Sequence, residues 1–271
     1  MHIQECIDKG ALDKVSVFPN FDKVDLKQIC KNKAVQLSLH LNLVEGKCLA
    51  NADEIDLIAD KNGILKHSFT ALFLISLLHR RKFEKQIYKE IRAQVLFWKG
   101  ILPENMPFCM DGHQHTHMIP AVFRTLLKVL HDENIQIAHM RIPAEPLLPY
   151  LCAPSLYFTY RPINLIKQWL LKFLWQINKT YTKKDDIPIS YFCGILFSGK
   201  MDEKRLRKIL PNYIKLAEKK QRHIEALFHP GYHADPYDLK ADNVEFVDFY
   251  VSPNRKTEYD SLISLSERSM K

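Results

Sequence analysis

Residues 35–43 alternate without exception: Val35, Leu37, Leu39, Leu41 and Leu43 are apolar, and Gln36, Ser38, His40 and Asn42 stand between them. A period of two sends successive side chains to opposite faces, so this stretch reads as a strand with one oily and one polar face. Such a strand suits a barrel whose interior is lined for chemistry and whose outside is covered by helices. Further strands are expected at Val15–Phe18, Ile135–Arg141, Ile189–Phe197, Ile224–Phe228 and Val244–Val251. Helices are expected between them. Phe83, Ile87, Ile91 and Val95 recur every fourth residue ahead of Gly100, where that helix should stop. Pro120 opens another, with Val122, Phe123, Leu126, Leu127 and Leu130 on its buried side. Leu206, Leu210 and Tyr213 mark a third, with Pro211 as an irregularity. Strands alternating with helices predict an α/β chain with a parallel sheet or barrel, and its 271 residues suit one domain, 1–271.

The formal net charge of +8 favours anionic partners. The cations are spread along the chain, however, and no dense basic block alternates with aromatics, so nucleic acid is not an expected partner. Cys6, Cys30, Cys48, Cys109, Cys152 and Cys193 are scattered singly, the usage of reduced thiols in a cytoplasmic protein. No apolar run of signal-peptide length opens the sequence. The stretch 163–177, INLIKQWLLKFLWQI, is apolar apart from two lysines and three amides. Its length and charges argue against a transmembrane span. A broad core-facing helix is the expected role. Peripheral contact with a membrane or glycolipid, or a lid over a site, are the alternatives.

The densest chemistry lies in Asp111-Gly112-His113-Gln114-His115-Thr116-His117. On an extended segment Asp111, His113, His115 and His117 would project to one side. Imidazoles and a carboxylate grouped in this way suit a divalent metal or an acid–base relay. Pro120 begins a helix just beyond, so the cluster belongs at a strand-to-helix junction, where α/β barrels build their active sites. His40 is a second candidate ligand, near the end of the strand that Glu45-Gly46 terminates. His229, in EALFHPGY, sits on a sharp Pro-Gly turn at a strand tip, a placement that suits a general acid or base.

Taken in order, the segments LSLHLNLVEG (37–46), MDGHQHTHMIP (110–120), HMRIPAEP (139–146), GILFSGKMD (194–202), EALFHPGY (225–232) and SPNRKTEYDSL (252–262) resemble the YdjC-like carbohydrate deacetylases, the chitooligosaccharide deacetylase family. The resemblance spans nearly the whole chain. It implies a modified (β/α) barrel of the polysaccharide deacetylase type with one divalent metal ion, Mg or Zn, at the strand tips. His40 and His113 would bind that metal. A third ligand is an aspartate of an Asp-Asp pair ending the family's first strand, and its neighbour is the expected base. His229 would act as an acid, and Asp111 would belong to the catalytic set by orienting a histidine. IQECIDKGALDKVSVFPN matches the family's first helix and second strand, so the first strand and its Asp-Asp pair are expected to be missing from this sequence. Cys109 departs from a histidine that relatives often carry there.

The implied reaction is metal-dependent hydrolysis of the linear amide of an N-acetylated saccharide. Two rival functions remain. One is a metallohydrolase of the amidohydrolase kind, against which stands the position of His113-Gln114-His115 after at least two strands. The other is a non-catalytic, deacetylase-derived carbohydrate-binding protein.

Overall fold

The computed structural model describes residues 2–20, 26–29, 35–182, 187–231 and 251–269. The chain opens with α1 (His2–Asp8), β1 (Lys14–Val17) and the short α2 (Leu26–Ile29). β2 (Gln36–Leu41), α3 (Phe69–Leu78), α4 (Arg80–Ile101) and β3 (Cys109–Gly112) follow. Next come α5 (Pro120–Asp132), β4 (His139–Met140), α6 (Leu148–Leu151) and α7 (Pro162–Thr182). β5 (Tyr191–Cys193), α8 (Glu203–Lys220), β6 (Ile224–Ala226) and α9 (Asn254–Ser269) complete it. β1, β2, β3 and β4 are parallel neighbours in chain order, and β5 pairs parallel with β6. Among the described residues these are two separate sheets, and no ladder closes them into a ring. A single bond from Met140 N–H to the Pro188 carbonyl, 3.3 Å, links β4 to the segment entering β5. The expected α/β class with parallel strands therefore holds. The strand expected at Val244–Val251 lies outside the described residues, apart from Val251 at its end.

Register explains how the sheet positions chemistry. Ser16 pairs with Ser38, Ser38 with Cys109 and Cys109 with His139, while His40 pairs with Asp111. Parallel partners point to the same side, so these residues form one polar face. Val15, Val17, Leu37, Leu39, Leu41, Met110 and Met140 form the other, buried in a single core with α4 and α5. Phe83, Ile87, Ile91, Val95 and Trp98 supply the inner stripe of α4, and Val122, Phe123, Leu126 and Leu130 that of α5. Leu127, expected inside, is only partly buried. α4 runs through Gly100 to Ile101. It ends because Leu102 precedes Pro103 and must leave the helical region, and Leu102 is extended at φ −66°, ψ 130°.

α7 meets one expectation only in part. The segment is a helix that packs Leu171 and Leu174 into the core, but much of its apolar surface is turned outward. Its protein side buries Asn164, Gln168 and Asn178 together with Leu171 and Leu174, whereas Ile163, Ile166, Trp169 and Phe173 are exposed. The three amides explain the orientation, since each donates to a backbone carbonyl. Asn164 reaches Leu196 (3.2 Å), Gln168 reaches Glu145 (2.6 Å) and Asn178 reaches Met118 (2.8 Å). Those carbonyls would otherwise be left without partners in the interior.

Candidate functional site

β2 and β3 end side by side, and their last polar residues meet. Asp111 is buried, and its Oδ2 accepts hydrogen bonds from Ser16 and Ser38, both at 2.7 Å. Its Oδ1 takes His40 Nδ1 in a very short contact and lies 3.2 Å from Arg141 Nη1. Burial works against the charge, yet Arg141 and His40 hold the Asp111 carboxyl well below the usual carboxylate range. Arg141 in turn donates from Nε to Glu225 at 2.8 Å. Asp111 is thus an anion with every lone pair engaged, and its contact fixes the orientation of the His40 ring.

His113 stands opposite. Its Nδ1 lies 3.2 Å from His40 Nε2, and its Nε2 lies 2.8 Å from Glu45 Oε1. The edge of Phe18 seals both rings, with centroids 4.7 and 4.9 Å away. Glu45 is brought there by the turn after β2. The Asn42 side chain accepts from Val44 N–H at 3.1 Å and donates to the Glu45 carbonyl at 2.8 Å, while Gln94 on α4 accepts the Asn42 N–H at 2.9 Å. Burial pushes the His113 pKa down.

Protonation follows from the partners. A carboxylate only accepts, so when both rings are neutral His40 carries its proton on Nδ1 and His113 on Nε2. The facing nitrogens, His40 Nε2 and His113 Nδ1, are then both lone pairs. Two lone pairs at 3.2 Å repel unless a cation lies between them. The separation also matches a metal site, because nitrogens about 2.0–2.1 Å from a tetrahedral zinc ion stand about 3.3 Å apart. The two residues therefore fit a divalent ion, each braced by a carboxylate on its far nitrogen as metal-bound histidines usually are. Among the described residues, no set of three His, Cys, Asp or Glu side chains converges for such an ion.

The extended reading of 111–117 is corrected here. β3 stops at Gly112, and His113–Met118 form a tight turn with Gln114 (φ 49°) and His115 (φ 58°) in the left-handed region. The turn separates the histidines. His117 is fully buried and bonds through Nε2 to the Arg141 carbonyl at 2.9 Å. His115 packs edge-on against His117 and Phe192, and burial pushes its pKa well down. Gly112 is required at the turn's start, since a Cβ there would lie 2.4 Å from His117 Nδ1. Of the four alternating residues, the structure brings Asp111 and His113 together with His40. Cys109 sits buried on the same sheet face, and burial raises its thiol pKa.

His229 lies beyond β6. Both its N–H (2.6 Å) and its Nδ1 (3.2 Å) meet the buried Glu258 of α9, and Arg255 of the same helix donates to the Gly231 carbonyl. His229 is also near enough to His113 to depress its pKa. Glu45, Glu258, Phe18 and Arg141 went unrecognised as site residues in the sequence. The signal for Arg141 was available, because a charge two residues past His139 falls on the polar strand face. No local pattern marks Glu258.

The other motifs are fastened in pairs. Glu145 of HMRIPAEP is buried and accepts N–H groups of Gly194, Ile195 (2.8 Å) and Leu196 (3.0 Å) from GILFSGKMD, and the Tyr150 hydroxyl donates to it at 2.8 Å.

A zebrafish (Danio rerio) protein named carbohydrate deacetylase is 29% identical over 152 residues, 55% of this chain and 46% of the relative. The match thus spans about half the length of that relative. A crystal structure from Enterococcus faecalis, described as a cellobiose-phosphate cleavage protein, superposes with a TM-score of 0.61 at 14% identity, covering 99% of this chain and 86% of that one. At that identity the likeness concerns the fold. The pattern of the YdjC-like protein family matches residues 3–270. The chain belongs to the YdjC-like family.

Proposed function

We propose that the chain hydrolyses the N-acetyl group of an amino sugar or oligosaccharide with the help of one divalent metal, as a carbohydrate deacetylase acting on a linear amide. The observation that carries this reading is the pair of ring nitrogens, His40 Nε2 and His113 Nδ1, held face to face at 3.2 Å with a carboxylate behind each ring. The zebrafish relative's name supports the substrate class. His40 and His113 would hold the ion, and imidazole donors favour zinc over magnesium. When bound, a divalent ion supplies Lewis acidity toward an acetamide carbonyl and toward water. The protein's own groups do the rest. Asp111 and Glu45 would fix the rings, Phe18 would keep bulk water from their edges, and His229, steadied by Glu258, would take the proton of the attacking water at Nε2 and return it to the departing amine. Water and amide become acetate and free amine. The sequential parallel order supports a (β/α)-barrel architecture over a single domain, 1–271, and the free thiols of Cys6, Cys48, Cys109, Cys152 and Cys193 support a cytoplasmic setting.

The test is acetate release from a panel of N-acetylated saccharides by the full-length protein, with and without chelator. Chelation, His40→Ala and His113→Ala should each abolish release, and Asp111→Asn should slow it about 10–100-fold. Undiminished release after thorough chelation would sink the metal. No release from any saccharide with zinc or magnesium supplied would sink the deacetylase. A non-catalytic carbohydrate-binding protein is the second reading. It draws on the lack of a third converging ligand among the described residues.

A further inference from the structure

α7 carries apolar side chains on its outer side as well as its inner one, and its charge is as unusual as its polarity. Between Pro146 and Thr182 the sequence holds no aspartate or glutamate, but it holds Arg161, Lys167, Lys172 and Lys179. None of these four cations is ion-paired among the described residues. On α4, by contrast, Arg80, Lys82, Lys89 and Arg92 each meet a carboxylate. The solvent side of α7 carries Ile163, Ile166, Trp169 and Phe173, spaced three or four residues apart, with Trp169 63% and Phe173 62% exposed. The segment leading into the helix exposes Leu151 and Phe158 as well. Isolated exposed apolar residues are ordinary, whereas a stripe of this kind marks a contact surface.

We propose that the outer face of α7 docks on an anionic lipid surface. An apolar stripe with aromatic residues, flanked by unpaired lysines, is the composition of a helix that lies in the plane of a bilayer interface. The occupant is chosen by charge. Pairing two copies of this face would bring eight cations together with no carboxylate from 146–182 to relieve them, whereas acidic headgroups neutralise every one. The helix lies on the surface and does not cross it, as no described helix is long and apolar enough to span a membrane. The amides of Asn164, Gln168 and Asn178 tie it to loops that follow β5, β4 and β3. Docking would therefore engage the end of the sheet that carries His40 and His113. The proposal stands apart from the chemistry of that site, and its test does not involve turnover.

The experiment is co-sedimentation of the full chain with vesicles of phosphatidylcholine alone or mixed with phosphatidylserine, at low and high salt. The protein should pellet with the acidic vesicles and be released by salt. Lys167→Gln with Lys172→Gln should weaken partitioning about 30-fold. The triple replacement Ile166→Ser, Trp169→Ser, Phe173→Ser should weaken it about 100-fold or more. These side chains face solvent, and circular dichroism checks that the variants stay folded. Protein that remains in the supernatant with acidic vesicles overturns the proposal. So does pelleting that ignores both lipid charge and the triple replacement. A dimer in solution that the triple replacement dissociates would overturn it in favour of a second copy.

Discussion

Replacing His117 with Gln should flatten the acid side of the stability curve. The wild-type ring is fully buried, its Nε2 donates to the Arg141 carbonyl at 2.9 Å, and its Nδ1 has no partner among the described residues. Burial, opposed more weakly by the bond to Arg141 and by Asp111, pushes its pKa down to about 4. In the unfolded chain a histidine titrates near ~6.5. Between those values the unfolded state binds a proton that the native state refuses. Stability then rises with pH, and it is lost as the pH falls from about 6.5 towards about 4. The full gap is worth about 3 kcal/mol, of which about 2 kcal/mol is lost between about pH 7 and about pH 5. His117→Gln keeps an N–H for the Arg141 carbonyl and removes the titration. Urea unfolding at the two pH values measures the effect. The wild type should lose about 2 kcal/mol more than the variant on acidification. His113 and His139 are also depressed by burial, but they contribute to both proteins and cancel in the difference. His115 is depressed by burial and then by His117, so the replacement eases its shift and acts in the same direction. Parallel pH dependences would refute the reasoning, because they would mean that His117 is not held neutral by burial.

Three further outcomes follow from the same interior. Arg141→Met leaves the buried Asp111 and the half-buried Glu225 without their shared cation, so thermal or urea unfolding should show a loss of about 3–5 kcal/mol; a loss below about 1 kcal/mol would mean that the carboxylates find another partner. Gly112→Ala places a methyl 2.4 Å from His117 Nδ1, and the turn should give way at a cost of about 1–3 kcal/mol, read from the urea midpoint. Glu258→Gln keeps an acceptor for the His229 N–H but withdraws the charge behind its ring. It should lower kcat for acetate release about tenfold with KM little altered, and a raised KM with kcat unchanged would point to lost binding instead.

The strand over 36–41 was legible because its periodicity has no competing explanation, and it delivered the essential geometric fact, a polar face containing His40. Register then completed the site, as His40 opposite Asp111 is a property of the pairing and not of either segment. The same limit hid Glu45 and Glu258. Each is a carboxylate whose partner lies far away in sequence, 68 residues on for Glu45 and 29 back for Glu258, and nothing nearby in sequence distinguishes it from a solvated acid. The motifs that travel together do so for a physical reason. Glu145 holds the backbone of 194–196, and α9 holds the turn around His229 through Glu258 and Arg255.

Two readings failed because residue type was allowed to stand for direction. Histidines at every second position look like a strand face, but alternation specifies a face only while the backbone stays extended. At Gly112 the ladder with β2 ends, and two residues enter the left-handed region at an expense of about 1–2 kcal/mol each. That strain accompanies an arrangement in which one histidine faces His40 and another locks onto the Arg141 carbonyl. It is stored where the site is built, as backbone strain commonly is. α7 departs from its reading in the complementary way, and only on its outer side, since Leu171 and Leu174 do reach the core. Its apolar stripe predicts an inward face on the premise that water is the alternative, and the premise does not hold if the outward medium is itself apolar. Leu171 and Leu174, with three amides that satisfy buried carbonyls, fix which side faces the protein, and a second apolar side is left outward with unpaired lysines around it. Burying Asn164, Gln168 and Asn178 while exposing Trp169 and Phe173 is unfavourable for a helix surrounded only by water. The arrangement becomes reasonable once the exposed side has a lipid surface to meet, so the orientation of the helix argues for the docking that its charge suggests.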